Sequence, residues 1–237
     1  MRGLRITLEQ NMPSYRKPTS FVLKESFPLP SYSAVIGMVH AACDCKSGEY
    51  IDMQVSIQGS YHSAVSEQYT RYEFGSAYEK ERHNIHIQAN GKSYGITRGV
   101  GNIEVLTDVK LCIHLVPSTE LDLERIAHGL RYPKNYLSLG RWEDIVNITE
   151  IKTVEIENKC LDNTIPTRMD AYLPKNSTLS KKRGVKGSIY TLNKKFTIKN
   201  GIRKWDEQVE VYHIATGTVL GRNDIMMDED QIHVFLA

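Results

Sequence analysis

Two stretches of helical spacing sit among segments of alternating apolar and polar residues, in the order strand, helix, strand, strand, helix, strand over residues 1–156. That order predicts an α+β protein with a ferredoxin-like, RRM-like core, an antiparallel sheet carrying both helices on one face. A second observation departs from the plain plan. Roughly 40 residues, 60–102, stand where a hairpin of a few residues should join the second and third strands. A third is the run of strand signals beyond 156, which adds a linker and a small C-terminal β-rich appendage over 157–237.

Each element follows from local pattern. Leu4, Ile6 and Leu8 alternate with Arg5, Thr7 and Glu9, the period of a half-buried strand. An irregular stretch with Pro13, Pro18, Pro28 and Pro30 follows. Ser31-Tyr32-Ser33 then opens a helix in which Val35, Met38, Val39 and Ala42 fall at i, i+3, i+4 and i+7. A serine after Pro30 is a good N-cap, because its hydroxyl can satisfy a free N–H of the first turn. Ile51, Met53, Val55 and Ile57 mark the second strand. One long run, Ile103 to Val116, is expected as the third, with Val109, Leu111, Ile113 and Leu115 on one face. Ser118-Thr119-Glu120 caps a helix carrying Leu123, Ile126, Ala127 and Leu130 at helical spacing. Strand-like segments resume over 136–156, then at Ser188–Ile198, Gln208–Ile214, Thr218–Leu220 and Ile232–Leu236.

The chain of 237 residues, 41% hydrophobic and 24% charged, is long enough to bury a core, and that composition is one of a soluble globular protein. No apolar stretch approaches the ~18–20 residues of a membrane span. The first residues, Met1 to Leu8, alternate like a strand and lack a signal-peptide apolar region. Cys43, Cys45, Cys112 and Cys160 form no dense framework, so reduced thiols and a cytoplasmic location are expected. The net charge of +2 is unevenly laid out: residues 175–205 carry +10 with no acid, 206–237 carry −6, and 1–174 carry −2. Such a basic run is either a solvated hairpin or a surface for nucleic-acid phosphates, RNA or target DNA.

The insertion interleaves Tyr61, Tyr69, Tyr72, Phe74, Tyr78 and Tyr94 with Arg71, Lys80, Arg82, Lys92 and Arg98. Aromatic faces for bases and cations for phosphates are what single-stranded RNA requires. Four glutamates reduce the segment to +1, and a solvent-facing hairpin is the ordinary alternative. The central strand at 103–114 offers no aromatic platform of the RRM kind, so loops and the insertion would have to do any binding. Metal signals are poor: His83-Asn84-Ile85-His86 and the His40 to Cys45 cluster each lack a second ligand pair. No nucleophile elbow or phosphate loop is present, and Gly99-Val100-Gly101 is a weak phosphate motif.

Three segments together resemble a known family. They are Met12-Pro13-Ser14-Tyr15-Arg16-Lys17-Pro18 after the first strand, Ser26-Phe27-Pro28-Leu29-Pro30-Ser31-Tyr32-Ser33-Ala34-Val35-Ile36-Gly37-Met38, and Asn135-Tyr136-Leu137-Ser138-Leu139-Gly140-Arg141-Trp142-Glu143-Asp144. The pattern is similar to the fifth CRISPR-associated (Cas) family, a RAMP-superfamily subunit of type I Cascade complexes. The third segment and the trailing β-rich part look most like the type I-B branch. The resemblance spans 1–155 well and the remainder loosely.

The resemblance implies a non-catalytic subunit that caps the 5′ end of CRISPR RNA and holds its 5′ handle. It implies contacts with the Cascade backbone subunit and the large subunit, the insertion serving as a thumb, with no cofactor and no membrane. The residues expected at RNA are Tyr15, Arg16 and Lys17 in the first loop; Ser31, Tyr32 and Ser33 at the helix start, whose free N–H groups suit a phosphate; Arg71, Tyr72, Arg82 and Arg98 on the thumb; and Arg141, whose fork fits a phosphate or base edge. Tyr32 and Trp142 read equally well as core residues. One branch, in type I-C systems, cleaves repeat RNA without metal using a Tyr-Lys-His set. Here Tyr32, His40, Lys110 and His114 offer the types, without that branch's Lys-His dipeptide. A repeat endoribonuclease is therefore the second reading. A small-ligand-binding α+β domain, for which no pocket motif appears, is the third.

Overall fold

The computed structural model describes residues 1–182, 185–199, 202–221 and 224–237. Strands β1 (Arg2–Gln10), β2 (Met53–Ser60), β6 (Val109–Pro117) and β7 (Asn147–Lys159) with helices α1 (Tyr32–Ala42) and α2 (Glu120–Arg131) form the ferredoxin-like unit. The four strands lie in the order β7-β1-β6-β2, all antiparallel. Their register stacks the alternating apolar sets: Leu4 faces Leu115, Ile6 faces Ile113 and Leu8 faces Leu111, with Val55 and Ile57 continuing two rows. Val35 and Val39 of α1 and Ile126 and Leu130 of α2 are buried in the same cluster.

Both helices begin where the sequence marks them. Ser31 caps α1, its hydroxyl accepting from the Ala34 N–H at 3.4 Å. Thr119 caps α2, accepting from the Asp122 N–H at 3.1 Å. The two helices touch through Gly129, where an added Cβ would stand 2.7 Å from the Ala42 carbonyl oxygen. Gly129→Ala would gain up to ~1 kcal/mol of helix propensity, but the obstacle is backbone and cannot rotate away. We expect a net loss of ~1–3 kcal/mol, read as a lower denaturant midpoint. An unchanged or higher midpoint would mean the helices separate freely.

The expected single strand from Ile103 to Val116 is instead two. β5 (Lys92–Thr107) ends and β6 begins around Asp108, whose φ of 50° turns the chain out of one sheet and into the other. Alternation continues across that joint, so the periodicity gave no sign of it. The inserted ribbon accordingly runs past Asn102 to Thr107. It is a three-stranded sheet, β3 (Ser63–Ala77), β5 and β4 (Ile85–Ala89), in the order β3-β5-β4. The expected strand signals at 136–146 hold only an isolated Ser138–Ile145 bridge before β7.

The C-terminal β-rich part joins the same large sheet at both edges. β8 (Asp170–Pro174), β10 (Ile202–Ile214) and β9 (Ser188–Lys199) extend it beyond β2, with the short helix α3 (Thr178–Lys182) after β8, and β11 (Ile225–Asp228) pairs with β7. Residues 229–237 then cross the sheet face opposite the helices. Gln58 Nε2 donates to the His233 carbonyl at 2.6 Å, the Phe235 N–H donates to Ser56 Oγ at 2.9 Å, and Val55 and Ala237 exchange two backbone bonds at 3.1 Å. Beneath this cover Asp228, fully buried, accepts from Arg5 at 2.6 Å and lies 3.2 Å from His114 Nε2. The face on which an RRM would stack bases is thus closed by the chain itself. No helix among the described residues is long and apolar enough to cross a membrane.

Candidate functional site

The loop after β1 meets the loop before β7 through one buried carboxylate. Asp144 accepts from the Ser14 N–H at 3.0 Å and the Arg141 N–H at 2.8 Å, and takes the Arg141 guanidinium at 2.6 Å. Arg141 also donates to the Met12 carbonyl at 3.2 Å and pairs with Glu143 at 3.3 Å. Gln10 ties the same loops from below: its amide donates to the carbonyls of Leu139 and Asp144, and its oxygen accepts from the Tyr15 hydroxyl at 2.7 Å. Gly140 sits at φ 113°, where an added Cβ would meet Asp144 Oδ2 at 2.7 Å and the Ser14 carbonyl at 2.9 Å, so only glycine fits this crossing.

Between this clasp and the start of α1 lies a pocket of about 270 Å³, lined by Ser14, Tyr15, Arg16, Phe27, Ser31 and Ala34 with Gly140 and Arg141. Three of its features suit an anion or a polar ligand. The first turn of α1 carries no acidic residue, so beyond the Ser31 cap no carboxylate of that turn offsets the partial positive charge of its N–H groups. Arg16 is exposed and forms no ion pair among the described residues. Ser14 is only 1% exposed and its hydroxyl has no hydrogen-bond partner among the described residues. An unsatisfied buried hydroxyl costs on the order of 1–3 kcal/mol, a cost that a ligand oxygen in the pocket would remove.

The residues expected at RNA divide into three sets. Arg16, Ser31 and Arg141 line the pocket, and Ser33 adjoins it through the 3.1 Å contact between its hydroxyl and that of Ser31. Arg141 does so with its fork paired to Asp144, which raises the guanidinium pKa further. Tyr15, expected at RNA, and Tyr32, left open between RNA and the core, are both buried core residues, 4% and 0% exposed, and burial pushes both phenols well above the ordinary tyrosine range. Neither presents a ring to a base, and Tyr15 meets the pocket only as part of its wall. Lys17 is drawn aside to Glu25 at 3.2 Å. Arg71, Tyr72, Arg82 and Arg98 lie away from the pocket on the exposed ribbon, Arg71 paired with Glu73 at 2.8 Å and Tyr72 directly across from Arg98. Trp142 is 76% exposed beside the clasp rather than in the core.

Two partners escaped the sequence reading. Asp144 stood in the quoted segment, three residues after Arg141, and that spacing of opposite charges was a usable signal. Ser14 carried none, because its importance is a matter of burial alone.

Among the described side chains of the basic run 175–205, Lys175, Lys194 and Lys195 lie beside acids. Antiparallel pairing lays the acid-rich strand against it, so Lys194 meets Glu207 at 3.1 Å and Lys175 meets Glu210 at 3.1 Å. Lys195 lies over the Tyr50 ring at 4.7 Å and 3.9 Å from Asp52. Arg183 and Arg222 lie outside the described residues, as do the side chains of Lys181, Lys182, Lys199 and Arg203. No group of three or more His, Cys, Asp or Glu able to hold a metal occurs among the described residues. The two histidines singled out for nuclease chemistry, His40 and His114, each have a partner within the fold. His114 is fully buried on Asp228, and His40 Nε2 accepts from the Ile51 N–H at 3.2 Å, with burial lowering its pKa.

No curated protein matches this chain. Among solved structures it is similar to a chain of a CRISPR RNA-guided surveillance complex, at 16% identity over 92% of this chain and 91% of the other, with a TM-score of 0.59. It is also similar to a CRISPR protein from Archaeoglobus fulgidus, at 14% identity over 100% and 99% of the two chains, with a TM-score of 0.46. The first likeness shows the shared fold. Residues 3–211 match the family model of the CRISPR-associated protein (Cas_Cas5). With that match extending from β1 into β10 and taking in the inserted ribbon and the clasped pocket, this chain belongs to the CRISPR-associated protein (Cas_Cas5) family.

Proposed function

We propose that this chain is a non-catalytic, cytoplasmic subunit of a type I CRISPR interference complex. In this reading it binds the 5′ handle of CRISPR RNA and caps the backbone subunits next to the large subunit. The observation that carries the reading is the pocket at the start of α1. A helix N-terminus with no acidic residue in its first turn, and Arg16 and the Ser14 hydroxyl, which have respectively no ion pair and no hydrogen-bond partner among the described residues, converge there. RNA phosphate or ribose oxygens satisfy all three at once. The segment 136–141 and the β-rich C-terminal part favour the type I-B branch. The burial of Tyr32 and His114, two of the nuclease-type set Tyr32, His40, Lys110 and His114, supports the non-catalytic reading.

The test is a binding assay in EDTA with end-labelled CRISPR repeat RNA and a scrambled control, resolved on native and denaturing gels. A repeat-specific shift with intact RNA is expected. Arg16→Ala should weaken it about tenfold, or ~1.4 kcal/mol, while leaving the thermal midpoint unchanged, because Arg16 is exposed and forms no ion pair among the described residues. Specific cleavage in EDTA would replace the reading with a metal-independent endoribonuclease. An equal shift for both RNAs would remove handle recognition.

A further inference from the structure

The far end of the inserted ribbon is closed by the lone pair of a histidine. Residues 78–84 join β3 to β4, and their turn is tied in both directions. The Glu79 carbonyl accepts from the N–H groups of Arg82 at 3.1 Å and His83 at 2.9 Å. The Glu79 N–H in turn donates to His83 Nδ1 at 3.0 Å. His83 is 3% exposed, and among the described residues between 61 and 102 it is the one side chain that is buried. Its ring folds back onto Gly95 of β5, where an added Cβ would stand 2.3 Å from the imidazole. Ser76 and His86 flank Gly95 in the ladder, so the ring fills the gap that glycine leaves between β3 and β4.

The imidazole is thus the small core of the ribbon end, and its hydrogen bonding admits one protonation state. An N–H donating to Nδ1 requires the bare lone pair there, so the hydrogen of the neutral ring sits on Nε2. Nε2 is buried with no partner among the described residues, a standing cost of the closed turn. A proton added at Nδ1 would face the Glu79 N–H, donor against donor, and would charge a buried ring. The groups around that ring offer it no buried counter-ion among the described residues. Tyr78 lies 6.2 Å away between ring centres and stacks on His86 of β4 at 4.4 Å, and a charged His86 would only add repulsion. On β5 the same face presents Ser93 and Thr97, and beyond them on β3 Glu73 is paired with Arg71 at 2.8 Å. Glu79, Lys80, Glu81 and Arg82 of the turn itself are exposed.

We infer that His83 is an acid-released latch, which closes residues 78–84 in its neutral form and, on taking a proton from solvent at Nδ1, leaves Gly95 and lets the turn and the start of β4 open. The long β3–β5 ladder below stays paired. Ile85 and Ile87, 47% and 43% exposed, follow directly on β4 and lose their fixed place when the latch opens. The latch belongs to the ribbon's own fold and does not depend on RNA.

Amide exchange of the full chain, corrected for intrinsic rates, and the imidazole nitrogen shifts of His83 are followed by NMR from about pH 8 to about pH 5, the interval in which histidine charges. Once His83 is the titrating group, the open population rises about tenfold per pH unit. Protection of the Glu79 amide should fall by that factor while the amides of β1 keep theirs, and the His83 nitrogen shifts should move with the same midpoint. His83→Asn, whose Oδ1 stands near the Nδ1 position and cannot titrate, should keep the protection and lose its pH dependence. Gly95→Ala should remove the protection throughout by displacing the ring, and His86→Gln should leave the dependence in place. Equal protection of wild-type Glu79 across the range, or a midpoint different from that of the His83 shifts, overturns the latch. So does a dependence that persists in His83→Asn. Loss of protection in His83→Asn at every pH would show that ring packing, and not the lone pair, closes the turn, and overturns it as well.

Discussion

Asp228→Ala is expected to lower the unfolding free energy by ~3–5 kcal/mol, the usual cost of removing one partner of a buried ion pair. Asp228 is fully buried and accepts from Arg5, from the N–H groups of Asp230 and Ile232, and pairs with His114. Arg5 would retain Glu150 at 3.2 Å and Asp230 at 2.8 Å, both on more exposed side chains. It would nevertheless lose its fully buried partner beneath the covering segment. Because Asp228 is the point at which residues 229–237 turn over the sheet, limited proteolysis of the variant should cut that segment first. A loss under about 1 kcal/mol with an unchanged cleavage pattern would show that the apolar contacts of Val234 and Phe235 hold the segment unaided.

The same carboxylate sets an acid dependence. Burial alone would raise the Asp228 pKa, but hydrogen bonds from His114, the Ile232 N–H and Arg5 outweigh it and hold the group well below the ordinary carboxylate range. A group depressed in the folded state contributes stability that is complete above its unfolded pKa of about 3.9. That contribution is lost as pH falls through the depressed folded value. Wild-type stability should therefore decline below about pH 4, and Asp228→Asn, which cannot titrate, should show a flatter curve there. Parallel curves would place the acid sensitivity elsewhere.

What the sequence disclosed is what local chemistry controls. Alternation at Leu4, Ile6 and Leu8 and helical spacing from Val35 to Ala42 arise because each residue's environment is set by its own element. Ser31 was legible for the same reason, since a cap acts within one turn. The joint at Asp108 was not, because a single residue with positive φ redirects the chain without breaking the alternation on either side. The closing of the rear sheet face was also hidden. It depends on Asp228 meeting Arg5 across 223 residues, and no window of the sequence contains both. The basic run shows the reverse failure, in which linear charge counting ignores the acids that strand pairing brings alongside. At the site, Arg16 and Ser31 could be picked out by residue type and position. The burial of Tyr15 was not legible, and that of Tyr32 stayed an open alternative, because an aromatic beside a polar loop has the same sequence appearance whether its ring faces RNA or the core.

Asp144→Asn is the substitution expected to couple stability and binding most strongly. The side chain holds the Ser14 N–H, the Arg141 N–H and the Arg141 guanidinium, so it fixes two walls of the α1 pocket while touching no ligand. Asparagine keeps one acceptor and turns an amide toward groups that are all donors, leaving the partly buried Arg141 without its main counter-charge. A loss of ~3 kcal/mol is the expected order, from the cost of breaking a buried pair. The sign of the binding change distinguishes two causes. Removing a negative charge beside an RNA site should by electrostatics alone tighten binding. Displacing Ser14 and opening the Gly140 crossing should weaken it, because the convergence of donors is what the phosphate recognises. We expect the geometric effect to win, with repeat-RNA affinity falling more than tenfold at a temperature where the variant remains folded. Asp144→Glu, which restores the charge on a longer arm in a packed site, should recover little of it. Tighter binding by Asp144→Asn would mean that Arg141, once released, is itself the better phosphate ligand, and that the clasp suppresses rather than builds the site.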